Sequence, residues 1–180
     1  MLTLLGAGVG ASGPVAAEAS ATPTTFSQSA TSANNWTNLS SMGAEDGACA
    51  SCDMTAGFLT SQTALATGFG FAIPGGATIT GLKVRIKRRQ TDASTTRDNV
   101  VSLTKNGSAG VGTNKAASAT NWPMSLTSVE YGGATDLWGT TWTPAEVNAS
   151  TFGLALRVRD ASSGATAEVD VIEVTVYYTV

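Results

Sequence analysis

The sequence predicts an all-β protein: a single antiparallel β-sandwich of the jelly-roll type, preceded by an extended N-terminal arm. Short apolar runs alternate with glycine, proline and asparagine turns along most of the 180 residues, which is typical of sandwiches and barrels. Only 13% of the residues are charged, and several runs alternate apolar and polar side chains with the period of a half-buried strand. A chain of this length builds one core rather than two. We therefore expect an arm and linker over residues 1–30 and the sandwich over residues 31–180.

The first element is the arm, whose sequence is almost entirely small or apolar. It begins MLTLLGAGVGASGPVAAEASA, with Glu18 as its one charge. Residues 19–21 resemble a signal-peptide cleavage site, but the basic region that precedes such sites is missing and glycines interrupt the apolar run. A segment so rich in glycine and alanine cannot build its own core, so we expect either a neighbouring subunit or the arm's own domain to hold it. The candidate contacts are the large apolar residues Leu2, Leu4, Leu5 and Val9.

The clearest strand is predicted from Thr78 to Arg89, with Gly81 indicating an irregularity in its alternation. Its apolar face consists of Ile79, Leu82, Val84 and Ile86. Its other positions and its end are basic, and the candidate partner contacts there are Lys83, Arg85, Lys87, Arg88 and Arg89. Two interpretations stay open. The basic residues line a solvated face that cross-strand acids such as Glu173 or Glu168 neutralise, or they contact an acidic surface of a neighbouring subunit.

Two shorter elements follow. Residues 99–105 form a candidate strand that turns at Asn106-Gly107, a dipeptide typical of tight hairpins. Thr143-Pro144-Ala145-Glu146 predicts the start of a short helix, because the threonine caps free N–H groups, proline has its φ preset and the glutamate reaches back to the cap.

The two last strands complete the predicted sandwich. Residues 152–159 alternate, which directs four apolar side chains to the core and leaves Arg157 and Arg159 outside. The core-facing residues of this strand are Phe152, Leu154, Leu156 and Val158. From about Ala167 to Val180 the inward set changes phase, and a β-bulge near Val171 explains the change.

Four tryptophans, which stand at loop edges, have two interpretations. Trp36, Trp122, Trp138 and Trp142 either close the ends of the sandwich, with each indole N–H bonded to backbone, or form an exposed aromatic platform for sugar.

The chain offers little reactive chemistry. It contains no histidine, which removes Ser-His and Cys-His arrangements and the commonest metal ligand. The paired carboxylates that a glycosidase needs are limited to candidates such as Glu168 with Asp170 and Glu45 with Asp46. Because acidic residues on strands and loops usually keep a surface hydrated, we expect no enzymatic activity, no catalytic residues and no cofactor.

Two cysteines have the C-x-x-C spacing, Cys49 and Cys52. A zinc site needs two more ligands, and the chain has no other cysteine. A thioredoxin-like pair needs a βαβ context that the sequence lacks. We expect two buried or half-buried thiols after the Asp46-Gly47 turn and no metal site, with a local disulfide or a metal shared around a symmetry axis as alternatives.

Charge and hydropathy limit the partners. The net charge is −3, and all ten basic residues lie at or after Lys83. Because a protein that binds phosphates shows a basic excess, nucleic acid is not an expected partner. No apolar run has the length that a membrane-spanning helix requires, so we expect no membrane association.

Three segments resemble a widespread set of β-sandwich proteins encoded by tailed bacteriophages and prophages. They are residues 68–81, which include IPGGATITG, residues 131–158, which include DLWGTTWTPAEVNASTFG, and the ending VTVYYT. The resemblance covers roughly residues 34–180. This sequence departs from the resemblance between Glu45 and Asp53. The resembling proteins usually have an apolar or aromatic alternation there, whereas this chain has its two cysteines.

The resemblance implies a non-enzymatic virion protein. We expect a capsid decoration, or cement, protein on the surface of the phage particle that stabilises the head through contacts with the major capsid protein or other virion subunits. A homo-oligomer is expected, with a trimer favoured. The alternative is a module of a tail, neck or fibre appendage that binds carbohydrate or a host receptor, because the sandwich fold supports both functions.

Overall fold

The computed structural model describes residues 13–29, 35–54, 60–92, 95–160 and 164–180. Within these ranges the chain forms ten strands, one α-helix and one 3₁₀ turn at Leu39–Met42. The strands are β1 Ala16–Ala21, β2 Thr25–Gln28, β3 Trp36–Thr37, β4 Ala50–Asp53, β5 Ala64–Thr67, β6 Thr78–Gln90, β7 Arg97–Thr104, β8 Thr127–Gly133, β9 Gly153–Arg159 and β10 Thr166–Thr179, and the helix α1 is Pro144–Asn148.

The strands form two antiparallel sheets, which confirms the predicted sandwich. Sheet A has the order β3-β4-β10-β6-β8, and β1 also pairs with β10. Sheet B has the order β2-β5-β9-β7. The long strands β6 and β10 form the centre of sheet A, and their apolar faces pack against β9 and β7 of sheet B in one hydrophobic core.

The pairing is that of a jelly roll, because early strands pair with late ones in nested order. β4 pairs with β10, β5 with β9, and β6 with β8. Residues 110–115 return along β7: Val111 N donates to Leu103 O at 2.8 Å and Lys115 N donates to Val101 O at 2.9 Å. Four nested pairs that wrap into two sheets make the jelly-roll arrangement.

The details of the long strands match the predicted pattern. The apolar residues predicted to face inward on β6 and β9 are at most 5% exposed. The register of β10 against β6 shifts between Val169 and Val171, as the change of phase predicted, and again between Tyr177 and Tyr178, opposite Gly81. A side chain at Gly81 would collide with the backbone carbonyl of Gly133. Close approach of two strands therefore requires glycine at this irregularity.

The helix start is also confirmed. Thr143 Oγ1 accepts a hydrogen bond from Glu146 N at 3.2 Å, and Glu146 Oε2 accepts one from Thr143 N at 2.9 Å. This reciprocal capping box, with Pro144 in the first turn, satisfies N–H groups that a helix of five residues leaves open.

The N-terminal boundary of the sandwich differs from the predicted one. β1 and β2, expected in an arm and linker, pair with β10 and β5, so each joins a different sheet. Ala19, Ala21 and Phe26 pack against the core. The strand character of β1 is hard to detect in the sequence because its half-buried positions, 17, 19 and 21, carry alanine in place of a large apolar residue. Residues 1–12, including Leu2, Leu4, Leu5 and Val9, lie outside the described ranges, so an arm there stays a prediction.

Candidate interaction surfaces

The basic residues of β6 lie mostly on one outward face of sheet A. We call this surface the charged face; its basic members are Lys83, Arg85, Lys87 and Arg89. Each has an acidic partner on a neighbouring element. Lys83 Nζ lies 2.9 Å from Glu130 of β8, and Arg89 Nε lies 2.5 Å from Glu168 of β10.

The centre of the charged face is a small network. Arg85 lies 2.8 Å from Glu45 and 3.4 Å from Glu173. Lys87 Nζ lies 3.0 Å from Glu45 and 2.9 Å from Asp170. The hydrogen bond from Lys87, followed by that from Arg85, lowers the pKa of Glu45, while the bond to Asp170 contributes most to raising the pKa of Lys87. Glu45 and Lys87 therefore both stay charged near neutral pH.

The charged face thus matches the first of its two interpretations. Four basic side chains face five acidic ones, Glu45, Glu130, Glu168, Asp170 and Glu173, and Arg85 pairs with Glu173 and Arg89 with Glu168, as that interpretation expected. The face carries no positive excess for an acidic partner. A contact role for Lys83, Arg85, Lys87 and Arg89 stays a prediction that needs another source of affinity.

Arg88 corrects the predicted contact set. Its side chain is 2% exposed, because position 88 continues the inward alternation of Val84 and Ile86. It forms an ion pair with the fully buried carboxylate of Asp98 on β7. A side chain enclosed in this way offers no charge to a partner protein; the alternation points position 88 inward, and Asp98 supplies the buried partner that an arginine needs there.

Around this ion pair lies a buried polar cluster, which we define as Arg88, Asp98, Trp122 and Tyr131. Asp98 also accepts hydrogen bonds from Trp122 Nε1 at 2.8 Å, Tyr131 Oη at 2.7 Å and Ala117 N at 2.8 Å. The Arg88 guanidinium lies over the Trp122 ring at 4.5 Å and the Tyr131 ring at 5.6 Å. The cluster joins β6, β7 and β8 to the connection between β7 and β8.

The chemistry of the cluster suits support rather than catalysis. Its four side chains are at most 6% exposed. Burial, more than any neighbouring charge, raises the pKa of the Tyr131 phenol, so the hydroxyl keeps its proton and donates to Asp98. Both carboxylate oxygens of Asp98 accept hydrogen bonds. Because the donors and Asp98 lie on both sheets, these bonds link the two sheets across the core.

The tryptophans are anchors rather than a platform. All four are at most 6% exposed. Trp36 Nε1 donates to Gln62 O at 3.0 Å, Trp138 Nε1 to Leu82 O at 2.9 Å and Trp142 Nε1 to Leu137 O at 3.0 Å. The expected backbone bond is confirmed in these three, and Trp122 donates to Asp98 instead. The sugar platform built from these residues is wrong, because no indole face is open to a ligand.

The cysteines take the buried and half-buried positions that were expected, whereas Asp170 is fully buried rather than at a hydrated surface. Cys49 is half-buried and Cys52 is buried, and no disulfide joins them. Burial raises the pKa of Cys52 to about 12. Asp170 accepts from Gly47 N at 2.9 Å and Asp46 from Ala48 N at 2.9 Å. Among the described residues, no three histidine, cysteine or acidic side chains group as metal ligands do.

The remaining surface of interest is the N-terminal corner of sheet A, which the sequence did not single out. We define it as Val15, β1, Tyr177 and Val180. Val15 and Val180 are 58% and 55% exposed, and they exchange two backbone hydrogen bonds of 2.9 and 3.1 Å. Beside them, a shallow open groove is lined by Ala16, Ala17, Glu18 and Tyr177. No signal in the sequence marked this surface, because valines in short runs are usually buried.

Comparison with known proteins gives one match. No protein-family model and no curated protein match the chain. Among solved structures, the chain is similar to one titled "Cyanophage Pam1 capsid asymmetric unit", with 16% sequence identity over 100% of this chain and 93% of that chain, at a TM-score of 0.34. That score is too low to establish a shared fold. In the described part of the chain, no helix has both the length and the hydropathy that crossing a membrane requires.

Proposed function

We propose that this protein is a structural component of a tailed-phage particle, most specifically a capsid decoration protein that stabilises the head by contacts between subunits. It acts without catalysis, by burying surface against the major capsid protein or other virion subunits. Its place is the outside of the particle.

The observation that carries the proposal is a structural joint between the segments that resemble phage proteins. Asn148, in DLWGTTWTPAEVNASTFG, accepts from Ile73 N at 2.9 Å and donates to Ile73 O at 2.9 Å. Ile73 begins IPGGATITG. Trp138 of the first segment donates to Leu82, directly after the second. The two motifs therefore form one joint of the jelly roll, which supports a resemblance in architecture rather than a chance similarity of short peptides.

Placement on the head, rather than on a tail or neck appendage, is supported by what the surfaces offer. The appendage alternative drew on a carbohydrate platform, and the four tryptophans that would form it are buried. The N-terminal corner instead presents apolar side chains and strand backbone, which suit contact with protein.

The test is incorporation into particles. The phage or prophage that encodes the chain is produced with and without this gene, and purified heads and tails are analysed separately by mass spectrometry and cryo-electron microscopy. We expect the chain on heads in a fixed copy number, and heads without it to release DNA at lower temperature. Its presence on tails alone would contradict the decoration role, and its absence from all particles would contradict the virion role.

A further inference from the structure

The outer edge of β1 is a strand edge with unpaired backbone groups. Val15 and Val180 form a hydrogen-bonded pair, because each donates its N–H to the carbonyl of the other. In an antiparallel ladder such pairs recur at every second residue, so residues 17, 19 and 21 of β1 also point their N–H and C=O groups toward β10. The N–H and C=O groups of Ala16, Glu18 and Ser20 therefore point away from β10. Within the described residues, no strand pairs with this outer edge.

This edge has few of the features that usually prevent pairing with another chain. Such edges carry charged residues, especially lysine, or proline or a bulge; the six residues of β1 are AAEASA, with Glu18 as the one charge, and they pair with β10 without a register shift. Three large hydrophobic side chains are exposed among the described residues, and two of them, Val15 and Val180, lie at the start of this edge. Apolar surface beside an open strand edge favours strand addition.

We propose that the outer edge of β1 receives residues 1–12 of a second copy of this chain as an added strand. This inference rests on the proposed function and names the partner of the N-terminal segment. The segment has no charged side chain, and Leu2 and Leu4 are spaced to lie on one side of a strand. Twelve extended residues reach about 40 Å, roughly twice the length of β1, which is enough to cross between subunits and pair.

A neighbouring copy suits the edge better than the segment's own chain does. The tightest fold-back would pair residue 13 with Ala16 and place Pro14 at the first central position of the turn. Hairpin turns of two residues need a positive φ there, which proline cannot adopt. Each copy also carries a donor segment and an acceptor edge at one corner, so copies can join head to tail; they form a ring, such as a trimer, where the rotation between neighbours closes, and a filament where it does not.

Self-association of the purified full chain tests the inference with two complementary variants. Deleting residues 2–12 removes the donor and stops short of β1. Glu18→Pro blocks the acceptor: the N–H it removes faces outward, so no bond to β10 is lost. Glu18→Gln is the matched control, because it removes the charge and keeps the N–H. Ala16→Pro repeats the block at another outward N–H if Glu18→Pro lowers the unfolding midpoint.

Analytical ultracentrifugation gives the result. We expect the full chain and Glu18→Gln to form the same oligomer, and each of the other two variants to associate at least about tenfold more weakly, the equivalent of one or two net hydrogen bonds. Mixing the deletion variant with Glu18→Pro should produce a heteromer, because one supplies the edge and the other the segment. A mixture that stays monomeric, or acceptor variants that self-associate normally, would overturn the inference.

Failure of this inference and failure of the proposed function are distinguishable. A chain that occupies phage heads but is monomeric in solution refutes strand exchange and keeps the decoration role. A chain that forms the oligomer but is absent from particles keeps strand exchange and refutes the decoration role.

Discussion

Replacing Asp98 with alanine tests whether the buried polar cluster holds the sandwich together. The carboxylate is fully buried and accepts from Arg88, Trp122, Tyr131 and the backbone of Ala117. Removing one partner of a buried ion pair costs about 3–5 kcal/mol, because the other charge stays buried without compensation. Each neutral donor left unpaired adds about 1–3 kcal/mol where water cannot enter. We expect a total loss of at least about 4 kcal/mol, against the roughly 5–15 kcal/mol that stabilises a typical domain.

The assay is urea unfolding followed by tryptophan fluorescence. Trp122 lies in the cluster, so its emission reports the same region that the mutation changes. The control is Glu130→Ala on the charged face, where the ion pair with Lys83 remains open to water, the two side chains being 54% and 27% exposed. An exposed pair contributes less than about 1 kcal/mol. The two variants each break one ion pair of β6, and they differ in burial.

A double-mutant cycle separates the charge effect from loss of packing. Adding Arg88→Met to Asp98→Ala removes the uncompensated cation, so the double variant should be less destabilised than the sum of the two single changes by more than about 1 kcal/mol. The reasoning would be refuted by an Asp98→Ala variant that unfolds at the same urea concentration as Glu130→Ala, or by strictly additive changes.

Three further outcomes follow from the structure. Ion pairs lower the pKa of Glu45 and of Asp136, so the unfolded chain binds protons before the folded protein does as the pH falls. We therefore expect the urea midpoint to be constant near pH 7 and to decrease at pH values below about 4. A midpoint that rises in acid would contradict this. Gly81→Ala places a methyl group against carbonyls at the end of β8 and should cost about 1–3 kcal/mol in the same assay, whereas an unchanged midpoint would show that the strands separate freely. A thiol reagent at about pH 8 should label Cys49 in the native protein and reach Cys52 only after denaturation, because Cys52 is buried with a pKa of about 12; equal labelling rates would contradict that burial.

The sequence was sufficient where one local rule decided the structure. Alternation over residues 78–89 and 152–159 gave the inward residues of β6 and β9, and the change of phase near Val171 gave the bulge of β10. The capping box at Thr143 depends on four consecutive residues and formed as predicted. In each case the pattern lies within one short segment of the sequence, and packing in the core favours the same structure.

The sequence was insufficient where contacts join distant segments or where side chains are small. β1 is made of alanine, serine and one glutamate, so its alternation carries no hydrophobic signal, yet the pairing with β10 fixes its place. Arg88 follows the inward alternation, but its burial requires Asp98, which lies on another strand in the other sheet. Glu45 completes the charged face from a loop 40 residues away from Arg85, a proximity that no spacing rule contains.

The distribution of charge indicates which surface gains most from association with another subunit. The charged face holds nine ion-paired side chains. A partner that binds there must dehydrate charges that already have partners, and no new ion pair offsets the free-energy cost of that dehydration. The N-terminal corner requires dehydration of one charge, Glu18, and offers unpaired backbone groups beside exposed valines. Association through backbone bonds and apolar area depends little on salt, whereas association through the charged face would weaken as salt is added. An oligomer that persists from about 0.05 to 1 M salt would therefore assign the interface to the corner, and an oligomer that dissociates over that range would assign it to the charged face.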